Sequence, residues 1–531
     1  MLALVCLLLL ATPLIAFAGD PTGAETGKAS DVVAANAAAP TLQELAAEVG
    51  HAKIAGNFVW ILLAGFLVMF MQAGFAFCET GFTRAKNASH TMAMNMMVYG
   101  IGLLGYWACG YALQMGGVGA VVALGGTAPL SSEYAITIAG HSFGLFGTKG
   151  FFLSGDAYDV GVFGLFLFSM VFMDTAATIP TGAMAERWKW GSFVLYALFM
   201  SMLVYPIFGN WVWGGGWLSQ LGKEFGLGHG HVDFAGSSVV HLVGGVAAFV
   251  GARILGPRLG KYGPDGRVNT IPGHDMPMAI LGVLILAFGW FGFNAGSTLS
   301  GGDLRIAVVA VNTMLASAAG AVAAMIAIIW WRGKPDLSFM ANGMLAGLVA
   351  VTAPCAFINS TGAVLIGLIA GVLLVGATIF IEHRMKVDDP VGAISVHGVN
   401  GAWGVIAVGL FADGTYGVGL NGVAGGVRGL FYGGGFGQLA AGLIAIVACM
   451  AFTFTAFYAF FKIVGYLVGN RVSEAVEMAG LDMAEIGVLA YPEFLPAPAF
   501  SSVEPEAVPV AVSSPSPILG DGLAVAKANA G

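Results

Sequence analysis

Long apolar runs follow one another along most of this chain, and they limit its fold more than any other feature. Eleven runs are long enough to cross about 30 Å of hydrocarbon, near residues 56–80, 92–122, 160–184, 191–213, 236–255, 276–298, 305–331, 338–356, 362–382, 394–413 and 437–466. Only 9% of the residues are charged, whereas soluble domains carry about 25%. We therefore predict an all-α integral membrane protein with eleven transmembrane helices in a lipid bilayer.

The two ends of the chain differ from this apolar middle. Residues 1–18 hold an apolar core that ends in Ala-Phe-Ala, a pattern typical of a cleaved signal peptide. No Lys or Arg precedes that core, so a first anchor helix is the alternative. Residues 19–55 are predicted to form an exported N-terminal segment. Residues 492–531 are rich in Pro, Ala, Val and Ser, a composition that indicates disorder.

Basic residues alternate between the connections and predict an orientation. Twelve lie in one set of connections: Arg84, Lys86, Arg187, Lys189, Arg253, Arg258, Lys261, Arg267, Arg332, Lys334, Arg384 and Lys386. The other set holds four: Lys149, Lys223, Arg305 and Arg428. Positive charge favours the cytoplasmic side, so we expect the N-terminus outside and the C-terminus in the cytoplasm. Tryptophans near the span ends, such as Trp188 and Trp330, are interpreted as interfacial belts.

An acid-to-histidine spacing occurs twice, in DFAGSSVVH (Asp233 to His241) and in DPVGAISVH (Asp389 to His397). The first copy precedes the fifth span and the second precedes the tenth, which runs the opposite way. Spans 1–5 and 6–10 would therefore be inverted copies, followed by a final helix. Eight residues of helix advance about 12 Å, so both imidazoles should meet near the bilayer centre.

The ordinary interpretation of one intramembrane histidine is a hydrogen bond between helices. Two histidines at the same depth instead favour a pair that lines a transport pathway. Each neutral imidazole offers one donor and one acceptor, which suits a small molecule that is easily neutral. A two-histidine metal site lacks a third ligand nearby, and we predict no metal or cofactor. Neither an enzyme nor a nucleic-acid-binding protein is indicated, because no nucleophile constellation or basic patch is present.

Aromatic residues gather where the third, fourth and sixth spans end on the predicted outer side. They include Phe168, Phe172, Trp213 and Phe293, with the hydroxyl of Ser297 close in sequence. Such a cluster can hold a small dehydrated cation by cation–π contact. Ordinary belt aromatics are the alternative interpretation.

Eight motifs, in order, resemble those of the ammonium transporter (Amt/Rh) family, on its Amt side: AGFAFCETGFTRAKN, GAMAER, VWGGGWL, DFAGSSVVH, GWFGFNAGS, NTMLA, VDDP and HGVNGAWG. The segment RVSEAVEMAGLDMAEIGVLAY is similar to the family's cytoplasmic tail. This resemblance implies a membrane domain over 56–466 and a regulatory tail over 467–491. It also implies a homotrimer in the cell (inner) membrane and a tail that can engage a P-II-type regulatory protein.

The resemblance also implies roles for individual residues. Ammonium, or methylammonium, would bind outside at Trp213, Phe172, Ser297 and Phe168. Phe172 and Phe293 would form the gate, while His241 and His397 would line the pore. Asp233 would be a structural aspartate that also influences proton transfer.

These roles imply uptake in which NH4⁺ loses a proton outside and NH3 crosses a hydrophobic pore. An ammonium-sensing receptor of the same fold, and a CO2 or ammonia channel of the Rh type, are the alternatives. Three features depart from the pattern. Asp174 lies within an apolar span and is expected to pair internally, with stronger recruitment of the cation as the alternative. The connection 115–157 is long and rich in Gly, and the segment after Tyr491 is unusual.

Overall fold

The computed structural model describes residue 36 and residues 38–116, 122–125 and 133–494. The predicted signal peptide (1–18), residues 19–35 and 37 of the exported segment and the tail beyond 494 lie outside the described residues. The described residues up to Ala490 form one compact unit, and the described part of the second unit holds a single 3-10 turn, Pro492–Phe494.

The described residues are mostly helical, and ten helices are long and apolar enough to span a membrane. We number the helices α1 (Leu42–Phe82), α2 (Ala85–Met115), α3 (Val160–Met184), α4 (Trp190–Trp213), α5 (Ser237–Leu255), α6 (Met276–Thr298), α7 (Ile306–Arg332), α8 (Leu337–Thr352), α9 (Ser360–Met385), α10 (Ile394–Phe411) and α11 (Gly437–Leu467). The shorter apolar helix α8 occupies the place of the predicted span 338–356. The predicted fold class is confirmed.

Helix α1 begins well before the predicted span at residue 56. The Thr41 hydroxyl accepts from the Glu44 backbone N–H, and the Glu44 carboxylate accepts from the Thr41 backbone N–H at 2.7 Å. This reciprocal capping box satisfies N–H groups that a helix start leaves unpaired. Residues 42–55, predicted as part of an exported segment, therefore form the first turns of α1.

The helices pack as two similar sets of five. Helix α1 contacts α3, and α3 contacts α5, in the same way that α6 contacts α8 and α8 contacts α10. The two sets meet where α5 crosses α10, and a Cβ on Gly245 would lie 2.2 Å from the Gly398 nitrogen. Glycines allow this close approach of two backbones in lipid. The predicted inverted repeat matches these contacts.

The bundle has two ends, which we name by their residues. The mouth side holds Trp213 and Ser297, and the tail side holds the short helix α12 (Glu474–Ala479). On the tail side, Arg258 donates to both carboxylate oxygens of Asp388 at 2.8 and 3.0 Å and to Glu186 at 2.9 Å. Although burial opposes ionisation, the Arg258 charge holds the pKa of Asp388 well below its ordinary value. Basic residues of the larger predicted set thus meet on one side of the bundle.

Two features of the connections differ from expectation. Trp188, predicted as a belt residue, is fully buried, and its indole N–H donates to the Ser192 hydroxyl at 3.0 Å. The belt interpretation is wrong for this residue because the tail-side connection folds back onto α11. The connection 115–157 contains an antiparallel hairpin, β1 (Glu133–Ile138) and β2 (His141–Gly147). Its strand β2 accepts a hydrogen bond from the Trp211 indole at the Leu145 carbonyl.

Candidate functional site

Asp233 and Asp389 begin the two central helices in the same way. The Asp233 carboxylate accepts four backbone N–H groups, from Gly236 to Val239, at 2.8–3.1 Å. The Asp389 carboxylate accepts three, from Val391, Gly392 and Ile394. A carboxylate at this position satisfies unpaired N–H groups and favours the positive end of the helix.

The segment between each acid and its histidine is not eight residues of α-helix. Helix α5 starts only at Ser237 and α10 at Ile394, and both open with a π-helical turn that contains the histidine. Gly236 and Gly392 precede these turns with φ of +117° and +80°. The predicted helical rise is therefore wrong, because the acid sits outside the helix and caps it. The match between the two copies extends to their backbones.

His241 and His397 face each other across the junction of α5 and α10. Their Nδ1 atoms are 3.1 Å apart and their rings are stacked with centroids 5.2 Å apart. One Nδ1 must carry the proton and the other must accept it. One ring then has a lone pair at Nε2 and the other has an N–H there. The Nε2 of His241 is buried without a hydrogen-bond partner, so this atom is available to hydrogen-bond a molecule in the pore.

Two phenylalanines separate this pair from the mouth side. The rings of Phe172 and Phe293 stack with centroids 4.1 Å apart, and both side chains are buried. Phe293 also stacks on His241, with centroids 5.5 Å apart. No hydrated ion can pass between rings in such contact. These two predicted gate residues thus lie directly above the histidine pair.

A cavity of about 350 Å³ opens on the mouth side of the phenylalanines. Phe168, Phe172, Trp213 and Ser297 all line it. The Trp213 indole N–H donates to the Asp233 carbonyl at 2.7 Å, and its ring meets Phe172 edge to face at 6.1 Å. The four residues predicted to bind ammonium therefore share one cavity. The Asp233 carboxylate is not among the residues that line it.

A second, much smaller cavity lies on the tail side of the pair. It measures about 20 Å³, roughly the room of one water molecule. Phe75, Leu286, Val396 and His397 line it, together with Glu79 and Asn342. The histidines thus lie between two cavities, with the phenylalanine stack above them.

Sequence reasoning missed some polar contacts of this site. The Ser238 hydroxyl donates to Asp233 at 2.6 Å and lies 2.9 Å from the His231 Nε2. Because the serine proton goes to the carboxylate, His231 must donate through Nε2. Burial lowers the pKa of His231 to about 4, while the Asp233 charge opposes the shift. The nearness of His231 to Asp233 in sequence was the available signal.

Within the described ranges Asp174 forms no ion pair, contrary to expectation. Its side chain is 2% exposed, and its Oδ1 has no hydrogen-bond partner. It lies two residues after Phe172, and neither of the two cavities described above counts it among its lining residues. Among the described residues, no group of three His, Cys, Asp or Glu side chains is placed to hold a metal ion.

The segment predicted as a regulatory tail packs on the tail side of the bundle. Lys86 donates to the carbonyls of Glu477 and Met478, both at 2.6 Å. Asp482 accepts from the His90 backbone N–H at 2.9 Å. The segment is thus held against the start of α2, the helix that follows α1 in the chain.

Comparison with known proteins gives a consistent result. The Ammonium Transporter Family model matches residues 59–491. "Ammonium transporter Amt2" of Archaeoglobus fulgidus is 45% identical over 486 residues, which covers 91% of this chain and 94% of that protein. "Ammonium transporter Amt1" of Haloferax mediterranei is 39% identical and covers 83% and 80%. These relatives are named as transporters rather than as enzymes.

Solved structures agree in fold. A "Sensor Amt Protein" is 35% identical with a TM-score of 0.69, covering 82% of this chain and 99% of that chain. Mep2 of Candida albicans is 27% identical with a TM-score of 0.67, covering 82% and 90%.

Proposed function

This chain belongs to the ammonium transporter family, and from that premise we propose that it takes up ammonium through a pore lined by His241 and His397. Ammonium, or its analogue methylammonium, binds in the mouth cavity and gives up a proton there. Ammonia then crosses the apolar part of the pore as a neutral molecule. The membrane is the cell membrane, with the mouth side outside and the tail side in the cytoplasm.

Recruitment uses the aromatic walls of the mouth cavity. The Trp213 ring is held by its N–H bond to the Asp233 carbonyl, and a desolvated cation over such a ring gains up to about 2 kcal/mol. The Ser297 hydroxyl donates to the Phe293 carbonyl at 2.7 Å, so its oxygen lone pairs are free to accept N–H groups of the cation. Phe168 and Phe172 complete the apolar wall.

The closed gate explains why ammonium must lose a proton. The free energy needed to dehydrate a charged ion is much larger than the binding free energy that the cavity supplies. The stacked Phe172 and Phe293 leave no room for a hydrated ion. Ammonia has no such penalty and needs only a small movement of the two rings. Potassium has no proton to lose and is rejected.

The hydrogen-bonding atoms of the histidine pair suit the passage of neutral ammonia. Ammonia is both a donor and an acceptor, and the pair offers one Nε2 lone pair and one Nε2–H. The 3.1 Å contact between the two Nδ1 atoms is the single observation that carries this proposal, because it uses both Nδ1 atoms and leaves the pair one Nε2 lone pair and one Nε2–H for ammonia.

The test uses purified protein in proteoliposomes. We expect methylammonium uptake and an ammonium-evoked current in the wild type, with no response to K⁺. His241→Ala should change the uptake rate or admit K⁺. Unchanged uptake and unchanged K⁺ rejection would remove the histidines from the mechanism.

Assembly and regulation belong to the same proposal. We expect a homotrimer with one pore in each subunit, and apolar side chains such as Phe66 and Phe288 are more than half exposed on the outer faces of α1 and α6. The docked tail, residues 467–491, is the place where a P-II-type protein would bind. Mass measurement in nanodiscs tests the first expectation, and co-purification with such a protein tests the second.

An ammonium-sensing receptor is the second candidate, favoured by the similarity to the solved Sensor Amt Protein. Growth of a transport-deficient host on limiting ammonium separates the two, because a receptor alone restores no uptake.

A further inference from the structure

The small cavity on the tail side contains an acid that the mechanism above does not use. Glu79 lies on α1, its side chain is 3% exposed, and it lines this cavity with His397. Ionisable side chains inside a membrane domain are costly and usually serve a function. Glu79 is therefore a residue whose presence needs an explanation.

No basic side chain forms an ion pair with Glu79 among the described residues. The nearby Arg84 pairs with Glu186 instead. The polar contacts of Glu79 are neutral: Asn95 Nδ2 donates to its Oε2 at 2.7 Å, and Thr181 Oγ1 lies 2.7 Å from the same oxygen and 3.0 Å from Oε1. The backbone N–H of Gly182 also contacts the carboxyl group. A buried carboxylate with no cation is strongly disfavoured.

Counting protons identifies the form of this acid. The Thr181 hydroxyl lies 2.6 Å from the Thr178 carbonyl oxygen, and a carbonyl can only accept. The single hydroxyl proton of Thr181 cannot serve Thr178 and Glu79 at the same time. Both contacts are satisfied if Glu79 is a neutral carboxylic acid that donates its own proton to Thr181, and we infer this form.

We propose that Glu79 is the proton donor on the tail side of the pore, a role that rests on the proposed passage of ammonia. Ammonia that has passed His397 enters a cavity of about 20 Å³, which holds one molecule of its size. Its nitrogen lone pair takes the Glu79 proton, so the O–H bond breaks and an N–H bond forms. The products are NH4⁺ and a carboxylate held by Asn95, and hydronium from the tail-side water restores the acid.

This step affects the rate of release on the tail side. A cation formed below the histidines cannot return through the apolar stack of Phe172 and Phe293 without losing its hydration. Reversible protonation at Glu79 therefore shortens the time during which ammonia can return through the pore, and it raises the rate of release toward the tail side.

Glu79→Gln is the decisive variant, because it removes the proton but keeps the contacts. The amide N–H₂ can donate to Thr181, and the amide oxygen can accept from Asn95. We expect the maximal rate of methylammonium uptake into proteoliposomes to fall by roughly 10²-fold, the usual size of a general-acid effect. The half-saturating concentration should stay the same, because the mouth cavity sets it. Glu79→Asp keeps an acid and should recover part of the rate.

Asp174→Asn is the matched control, since it removes another buried acid from the same bundle and lines neither cavity. Loss in Glu79→Gln with normal uptake in Asp174→Asn supports the assignment. Normal uptake in both variants overturns it, and so does equal loss in both, because any buried acid would then suffice. Absence of uptake by the wild-type protein would instead refute the proposed function.

Discussion

Replacement of Asp233 by Asn tests how the first central helix is held in place. Its Oδ1 accepts from the N–H groups of Gly236 and Ser237, and its Oδ2 accepts from those of Ser238 and Val239. An asparagine has one acceptor oxygen, so two buried N–H groups lose their partner whichever way the amide turns. Each unsatisfied buried group costs about 1–3 kcal/mol, and the expected loss of stability is therefore about 4 kcal/mol.

Asp389→Asn is the control that the repeat supplies. Its Oδ1 accepts from Val391 and Gly392, and its Oδ2 accepts from Ile394 at 2.7 Å. If the new amide places its oxygen at the position of Oδ1, the Ile394 N–H loses its partner, which costs about 2 kcal/mol. The two substitutions are chemically identical but lose different numbers of bonds, because Asp233 also accepts from the Ser238 hydroxyl.

The measurement is unfolding of the purified protein by SDS in mixed micelles, followed by tryptophan fluorescence. We expect Asp233→Asn to lower the free energy of unfolding about twice as much as Asp389→Asn. Equal losses, or a larger loss for Asp389→Asn, would refute the bond-counting argument. The Trp213 indole is bonded to the Asp233 carbonyl, so a displaced cap should also weaken ammonium binding in the same variant.

Three further predictions follow from other contacts. Trp213→Leu removes a cation–π surface of up to about 2 kcal/mol, so the half-saturating ammonium concentration for uptake should rise by up to about 30-fold, and no rise would exclude the ring from recruitment. Asp388→Asn removes the bidentate partner of the buried Arg258 but leaves its ion pair with Glu186. The unfolding free energy should therefore fall by about 3 kcal/mol, the lower end of the range for a broken buried pair, whereas an unchanged value in SDS titration would contradict this. Burial lowers the pKa of His231 to about 4, so the unfolded chain binds its proton first and stability should fall by up to about 3 kcal/mol between pH 6.5 and 4. His231→Gln, which keeps a donor to Ser238, should remove that fall, and an unchanged pH profile would contradict the assignment.

The residues of the site were predictable to different degrees. His241 and His397 could be paired because the same spacing occurs before two spans that run in opposite directions, and inversion of a repeat brings equivalent positions together. Phe172 and Phe293 could be placed only through the family resemblance, because aromatic residues near span ends are common. The mutual stacking of these rings depends on packing between α3 and α6, which no local pattern encodes.

Other features could not be read from the chain. Trp188 follows the pattern of an interfacial residue, yet the tail-side connection buries it beneath α11. Glu79 lies within the motif AGFAFCETGFTRAKN, but its place beside His397 depends on contact between α1 and α10, which are far apart in sequence. Burial of single polar residues is decided by neighbours and not by local composition.

The amino-acid sequence alone determined the membrane setting, the run of spans, their alternating direction and the relation between the two halves. These properties follow from hydrophobicity and charge, which act on each segment independently. Only the tertiary structure decided which side chains touch: the 3.1 Å contact between imidazoles, the closed phenylalanine stack and the acid below them. Such contacts depend on how helices distant in the chain cross, and small residues such as Gly245 and Gly398 set that distance.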